Sequence, residues 1–257
     1  MQNDCYIKIK VSYEMMQSSR LIILEACIAA GKSTLGYSIA KYYNNKGIKC
    51  KYLPEFSYPP FLDYYLENME VQGYNFQIHM IRERFILFNK AVRKLKSGKY
   101  KVVIIDRGLL GDLCFAMMLY NSGYITLREY RIYAGMATKD HTKKIPAGVS
   151  VNVVYLKSSP EVLRQRVVRR GVVKEIENYD IEYLTDVCNA HDVICSGDVG
   201  NLDEITRSVI DFHGRYLKVK TLDYNPDLSE HIKDECLSND TIEKILSQIY
   251  ENEEVPT

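Results

Sequence analysis

Several features are scarce in this chain of 257 residues, and each scarcity excludes something. Neither charge is in surplus: 34 Lys and Arg face 33 Asp and Glu, a formal net charge of +1. That gives no electrostatic argument for a nucleic acid or membrane surface as partner, yet leaves room for a small anion held by a local basic cluster. No apolar run approaches the ~20 residues of a membrane span. The start, MQNDCYIKIKVSYEMMQSSR with Asp4 and Glu14, resembles neither a secretory signal nor an Arg-rich transit peptide. The seven Cys lie scattered, without a C-x-x-C pair or zinc-ligand spacing. That points to a reduced, cytoplasmic protein with buried thiols. Repeats, low-complexity tracts and linkers are also missing. The expected organisation is an N-terminal extension over 1–20, a single domain over 21–250 and an acidic tail over 251–257.

What the chain does have is alternation. Strand-like runs at Leu21–Glu25, Ile48–Leu53, Val102–Asp106, Val151–Leu156 and Tyr216–Leu222 are separated by helical stretches. Short, near-continuous apolar strands are those covered on both faces, and intervening helices make parallel pairing the economical topology. The expectation is an α/β fold with a five-stranded parallel sheet flanked by helices on both faces. One helix opens at Thr34 and stops at Gly47. Another is capped by Ser159, with Pro160 in its first position and Glu161 in its first turn. A long helix is expected over Asn75–Leu95, with Phe76, Met80, Phe85 and Phe88 at roughly helical spacing.

Between the first strand and its helix stands ACIAAGKST, a match to G-x-x-x-x-G-K-[ST] except that Ala26 replaces the first glycine. A strand before and a helix after are the context such a phosphate-binding loop requires. Backbone N–H groups from Cys27, Ile28, Ala29, Ala30, Gly31, Lys32 and Ser33 would wrap phosphates at a positive helix end, with Thr34 beginning the helix. Lys32 would bridge the β- and γ-phosphates of ATP and Ser33 would ligate Mg²⁺. The plainer alternative is a small-residue turn with Lys32 in solvent. A methyl group at Ala26 matters only where φ is positive or phosphate approaches closely, and its cost is expected in ATP affinity.

The third strand ends in Asp106-Arg107. In open α/β sheets the ligand crevice lies beyond the carboxyl ends of the strands, so Asp106 is expected beside the loop as a metal residue. The segment LRQRVVRRG carries Arg164, Arg166, Arg169 and Arg170. Taken alone this is a solvated basic face. Leading into Gly171 and a polar segment, it suits a mobile lid whose arginines stabilise a transferring phosphoryl group. Arg166 and Arg170 are four apart and share a helix face, which favours them over Arg164 and Arg169.

These pieces in this order resemble the deoxyribonucleoside kinase family, especially its bacterial deoxyadenosine/deoxyguanosine kinase branch, from about Leu21 to Leu228. The resemblance implies a P-loop kinase fold, Mg²⁺-ATP as phosphoryl donor and a homodimer formed through long helices. Glu55, in Leu53-Pro54-Glu55, matches the family's general base for the sugar 5′-hydroxyl. Gln77, after Phe76, matches a base-reading Gln, since a carboxamide offers a donor and an acceptor side by side. Arg84 and Asp112, the latter in DRGLLGD, match an Arg–Asp pair associated with dA, dG or dC rather than thymidine. Tyr65 and Glu175 match contacts to the sugar 3′-hydroxyl. Arg107, Arg166 and Arg170 match cations around the phosphoryl group and acceptor. VKTLDYNPDL resembles the last strand and the loop that cups the adenine of ATP, implicating Asp223, Asn225 and Asp227. Three departures stand out: Ala26-Cys27 for the usual Gly-Asn, Asp106-Arg107 for Glu-Arg, and Val172 where a third lid arginine is expected, with Arg169 as a possible substitute.

Two other readings stay open at this level. A monophosphate kinase similar to thymidylate kinase also has a phosphate loop and a strand-ending Asp-Arg. It would carry a Gly-Gly-Thr type stretch where Phe56-Ser57-Tyr58 stands. A non-catalytic nucleotide-binding protein would be consistent with Ala26, Cys27 and Val172, but not with retention of Lys32, Ser33, Glu55, Gln77, Asp106 and Arg107 together.

Overall fold

The computed structural model describes residues 18–56, 58–139, 144–196, 200–214, 219–224, 232–233 and 236–250. In chain order the first half gives β1 (Ser19–Ala26), α1 (Lys32–Asn45), β2 (Cys50–Leu53), α2 (Pro59–Glu67), α3 (Met69–Lys96), β3 (Val102–Asp106), α4 (Leu109–Asn121) and α5 (Leu127–Ala137). The second half gives β4 (Val149–Lys157), α6 (Pro160–Arg170), α7 (Val173–Asn178), α8 (Ile181–Ser196), α9 (Glu204–Gly214), β5 (Val219–Asp223), β6 (Ile232–Lys233), β7 (Cys236–Leu237) and α10 (Asn239–Tyr250).

The five expected strands form one parallel sheet in the order β2-β3-β1-β4-β5. β1 is central because its sequence permits it: Leu21, Ile22 and Leu24 are wholly buried, and burial of each such side chain is worth ~1.5–3 kcal/mol. The chain leaves β1 toward one side of the sheet, returns through β3, and then crosses to β4 on the other side. That reversal opens a crevice at the carboxyl ends of β1 and β3, where Leu24 pairs with Asp106.

Local chemistry explains where the element limits differ from expectation. β2 begins at Cys50 rather than Ile48, because Ile48 is consumed in closing α1. Gly47 sits at φ 77° with its N–H donating to the Asn44 carbonyl, and the Ile48 N–H donates to the Tyr43 carbonyl. This is the two-bond left-handed cap that glycine favours. α3 starts six residues before Asn75, at Met69, because the Asn68 side chain accepts from the Val71 N–H at 3.1 Å. α6 begins as expected, with Ser159 accepting from the Val162 N–H at 3.4 Å. The polar segment after Gly171, read as suiting a mobile lid, forms the short helix α7. Gly171 takes φ 76° at the turn, and Arg164 bonds the carbonyls of Ile176 (2.8 Å) and Tyr179 (3.0 Å), tying α6 to that helix. β5 is described from Val219, residues 216–218 lying outside the described ones. The antiparallel pair β6–β7 has no counterpart in the sequence reading.

Candidate active site

The loop between β1 and α1 turns on two left-handed residues, Ala29 (φ 58°) and Gly31 (φ 93°). Ala26 is not one of them. It closes β1, fully buried and in register with Leu156, so the first loop position requires no glycine conformation. Gly31 is also hemmed in, since a Cβ there would meet the Tyr224 ring at 3.3 Å. Lys32 is buried, with Nζ 3.5 Å from the Cys27 carbonyl oxygen and 3.9 Å from Asp106 Oδ1. Burial and Arg107 lower its pKa from the ordinary lysine value, opposed by Asp106 and Glu55. Thr34 lies in the first turn of α1.

Asp106 is buried at the end of β3. Its Oδ2 accepts from Ser33 Oγ at 2.7 Å and from Tyr52 OH at 2.6 Å, while Oδ1 accepts no hydrogen bond among the described residues. This donor set fits a hard cation. Ser33 keeps its oxygen lone pairs while giving its hydrogen to Asp106, and Asp106 has a spare carboxylate oxygen. Among the described residues no group of three or more His, Cys, Asp or Glu could enclose a metal unaided. A cation here therefore needs ligand atoms from elsewhere.

The neighbouring residue, Arg107, adopts a left-handed backbone (φ 67°), and its N–H donates to the Leu24 carbonyl at 2.9 Å. Its guanidinium is immobilised by several neighbours at once. Nη1 donates to the Ala26 carbonyl (2.8 Å) and lies 3.4 Å from His191 Nε2, Nε reaches Glu55 Oε1 (3.3 Å), and the group lies over the Phe115 ring at 4.7 Å. His191 is buried, and its Nδ1 is 2.8 Å from the Val187 carbonyl. A carbonyl can only accept, so Nδ1 carries the proton and Nε2 faces Arg107 as an acceptor.

Glu55 Oε1 also accepts from Arg84 Nη2. Burial alone would raise the carboxyl pKa, but Arg84, Arg107 and Lys32 reverse that and hold it at about 2. Arg84 continues the network, with Nε 3.3 Å from Asp112 Oδ1. Asp112 Oδ2 accepts from Tyr133 OH (2.9 Å) and Gln77 Nε2 (2.9 Å), and its backbone carbonyl accepts from the same Gln77 nitrogen (3.0 Å). Both amide hydrogens of Gln77 are therefore committed, leaving only Oε1 for another partner. The donor half of the pair expected to read a base is thus turned to Asp112 in this arrangement.

Lys32, Ser33, Glu55, Gln77, Arg84, Arg107 and Asp112 line one cleft of about 540 Å³. That size suits a small-molecule site. Tyr65 lies in the wall, stacked on Phe76 at 4.1 Å. Its neighbour Tyr64 is 53 % exposed and faces away from the core. Glu175 is buried and chelated by Arg170 Nη1 at 2.9 and 3.1 Å. Arg166 reaches the phosphate loop instead, with Nη1 3.2 Å from the Ala30 carbonyl. The two arginines chosen for sharing a helix face thus serve different partners. Arg169 and Val172 are exposed. Asp223 closes β5, whereas Asn225 and Asp227 lie outside the described residues.

Several residues that shape the site escape a sequence reading. Tyr52, Tyr133 and His191 reach it only through the fold and carry no local signal. Glu25 does have one: it is a carboxylate ending an otherwise apolar strand, immediately before the loop.

Comparisons with known proteins agree with this fold. Structures of deoxyadenosine kinase from M. mycoides share the fold. The one with bound dCTP has a TM-score of 0.60 at 19% identity, over 89% of this chain and 97% of that one. The one with bound dATP has a TM-score of 0.60 at 20% identity, over 88% and 97%. No curated protein matches the chain. The family model for deoxynucleoside kinases matches residues 22–250, and the chain therefore belongs to the deoxynucleoside kinase family, enzymes that phosphorylate nucleosides.

Proposed function

We propose that the protein transfers the γ-phosphoryl group of Mg²⁺-ATP to the 5′-hydroxyl of a deoxyribonucleoside, favouring dA, dG or dC over thymidine, as a cytoplasmic salvage enzyme. The observation that carries this reading is Glu55. It is a carboxylate held ionised between Arg84 and Arg107, in the same cleft as Lys32 and Ser33. A phosphorylated acceptor would bring its anion against that carboxylate, which disfavours the monophosphate kinase reading.

Each residue then has a part. Glu55 accepts a hydrogen bond from the 5′-hydroxyl and aims its oxygen at the γ-phosphorus. With a pKa of about 2 it is a weak base, so it takes the proton late, after bond formation has acidified the hydroxyl. Lys32, Arg107, Arg166 and Arg170 provide the cations for phosphate and developing charge. Ser33 and Asp106 are the residues that would hold Mg²⁺, which when bound neutralises charge on the β- and γ-phosphates. Tyr65 and Glu175 would bind the sugar 3′-hydroxyl.

At the base end, Gln77 Oε1 and the Asp112 carboxylate present acceptors, a pattern that suits the exocyclic amine of adenine, cytosine or guanine, which thymine lacks. The neighbouring deoxyadenosine kinase structures, with dCTP and dATP bound, are compatible with this preference. Backbone N–H groups of the phosphate loop would hold the triphosphate, with Asp223 and the following residues, including Asn225 and Asp227, near the ATP base. Residues 21–250 would act as a single kinase domain. Exposed Val71 and Ile86 on α3, with Leu127 and Ile132 on α5, are consistent with a homodimer through long helices.

The test is incubation with Mg²⁺-ATP and a panel of deoxynucleosides and their monophosphates, with products resolved chromatographically. Phosphorylation of dA, dG or dC that is lost in Glu55→Gln supports the proposal. Turnover confined to monophosphates, or ATP binding without any turnover, overturns it.

A further inference from the structure

Helix α4 carries Asp112 and Phe115 and follows directly on Arg107, yet it begins without a cap of its own. Gly108 stands at the N-cap position and offers no side chain. The missing acceptor comes from a different element. Glu25, the last charged residue of β1, is 1 % exposed; its Oε1 accepts from the Gly108 N–H at 3.0 Å, and its Oε2 lies against Gly111. Those are the N-cap and third helical positions, where orphan amides otherwise need a local Ser, Thr, Asp or Asn. A carboxylate at a helix N-terminus also complements its dipole.

The glycines of DRGLLGD follow from this arrangement. Gly108 has an ordinary φ of −109°, so conformational freedom does not explain it. A Cβ at Gly108 would lie 2.8 Å from Glu25 Oε1, and one at Gly111 would lie closer still to Oε2. Both positions are kept bare so that the carboxylate can approach the start of α4. Burial raises the pKa of Glu25, opposed by Arg107 and Arg84, the two cations that hold Glu55. Behind it, Glu25 Oε2 and Arg84 Nη1 lack hydrogen-bond partners among the described residues. Both residues line a cavity of about 20 Å³, room for one bridging water.

We infer that Glu25 is a positioning residue that registers the acceptor half of the site against the phosphate loop. Through one carboxylate it fixes the start of α4, and with it Arg107 and Asp112, to the strand from which the loop departs. The inference rests on the kinase reading above and adds a residue to which that reading gives no role.

The test compares Glu25→Gln and Gly111→Ala with the wild-type enzyme, reading kcat, KM for the deoxynucleoside and for ATP, acceptor selectivity and Tm. Displacing Arg107 and Asp112 by a fraction of an ångström is expected to lower kcat roughly ten- to a hundredfold and raise the acceptor KM. The ATP KM should stay within about twofold, since the loop's own amides are unchanged. Both variants should show this pattern, and the double variant should be less than additive. A folded Glu25→Gln enzyme with wild-type kcat and acceptor selectivity, whatever its Tm, overturns the inference. Should the variants fail to fold, hydrogen exchange of the wild-type protein decides. Slow exchange at the Gly108 amide supports the carboxylate clamp, and fast exchange there overturns it. Absence of wild-type turnover on any deoxynucleoside would sink the kinase reading and leave Glu25 to be judged by that exchange.

Discussion

Gln77 gives both hydrogens of its side-chain amide to Asp112, one to the carboxylate and one to the backbone carbonyl. Its orientation is thus set by an acidic neighbour and not by the substrate. Replacing Asp112 with Asn removes one strong acceptor and leaves Arg84 short of a carboxylate. The Gln77 amide is then able to turn and offer a donor to the base. Asp112→Asn should therefore lower kcat/KM for amine-bearing deoxynucleosides relative to thymidine by about tenfold or more, a shift of about 1.4 kcal/mol. Competition assays with paired substrates would measure it, and an unchanged ratio would contradict the assignment.

Glu55 is held at a pKa of about 2 after Arg84, Arg107 and Lys32 outweigh its burial. A carboxyl with a depressed pKa stays ionised at every pH above that value. The wild-type rate should accordingly show no acid limb from Glu55 across about pH 5 to 8. Glu55→Gln should lower kcat by roughly 10²- to 10⁴-fold at all those pH values. A titration in the wild-type profile that vanished in Glu55→Gln would show that the arginines do not hold the charge.

His191 offers a stability test with the sign fixed by its surroundings. Burial, then Arg107, lower its pKa from 6.5 to about 3. As pH falls below 6.5 the unfolded chain binds a proton that the folded chain refuses. Stability from this site is complete above 6.5 and is lost by about 1.4 kcal/mol per pH unit toward 3. Denaturant titrations at pH 7 and pH 5 should show His191→Gln losing roughly 1–2 kcal/mol less than wild type between the two.

Ala26 closes a buried strand and has no positive φ. Ala26→Gly should leave the ATP KM unchanged and destabilise the fold by about 0.5–1 kcal/mol through backbone entropy. Tighter ATP binding by the glycine variant would restore the expectation that the alanine costs affinity.

Strands β1 and β3 were legible because they are buried and read as nearly unbroken Val, Ile and Leu, whereas the part-exposed β2 and β5 were marked by their alternation with helices. The phosphate loop and Asp106-Arg107 stand out because each follows or closes such a strand at the carboxyl edge, whereas Glu55, two residues beyond β2, was picked out by the family resemblance. Side-chain commitments were not legible. That Gln77 spends its donors on Asp112, 35 residues away, depends on how α3 packs against α4. The partners of the arginine run were hidden for a related reason. Helical spacing gives a shared face, but Arg166 and Arg170 find separate partners because α7 folds back beside α6. Tyr133 and His191 belong to helices with no chemical signature of their own.

The central place of β1 also bears on the order in which the chain can assemble during synthesis. Its first neighbour is β3, and its second, β4, ends only at Lys157. Pairing over such sequence distances is slow relative to local helix formation. A nascent chain that has emerged only through α5 holds β1 with one edge unpaired, and α8, which braces Arg107 through His191, has yet to be made. Nucleotide-dependent protection from protease should therefore appear late in translation, once α8 has left the ribosome, although the phosphate loop is among the first segments to emerge.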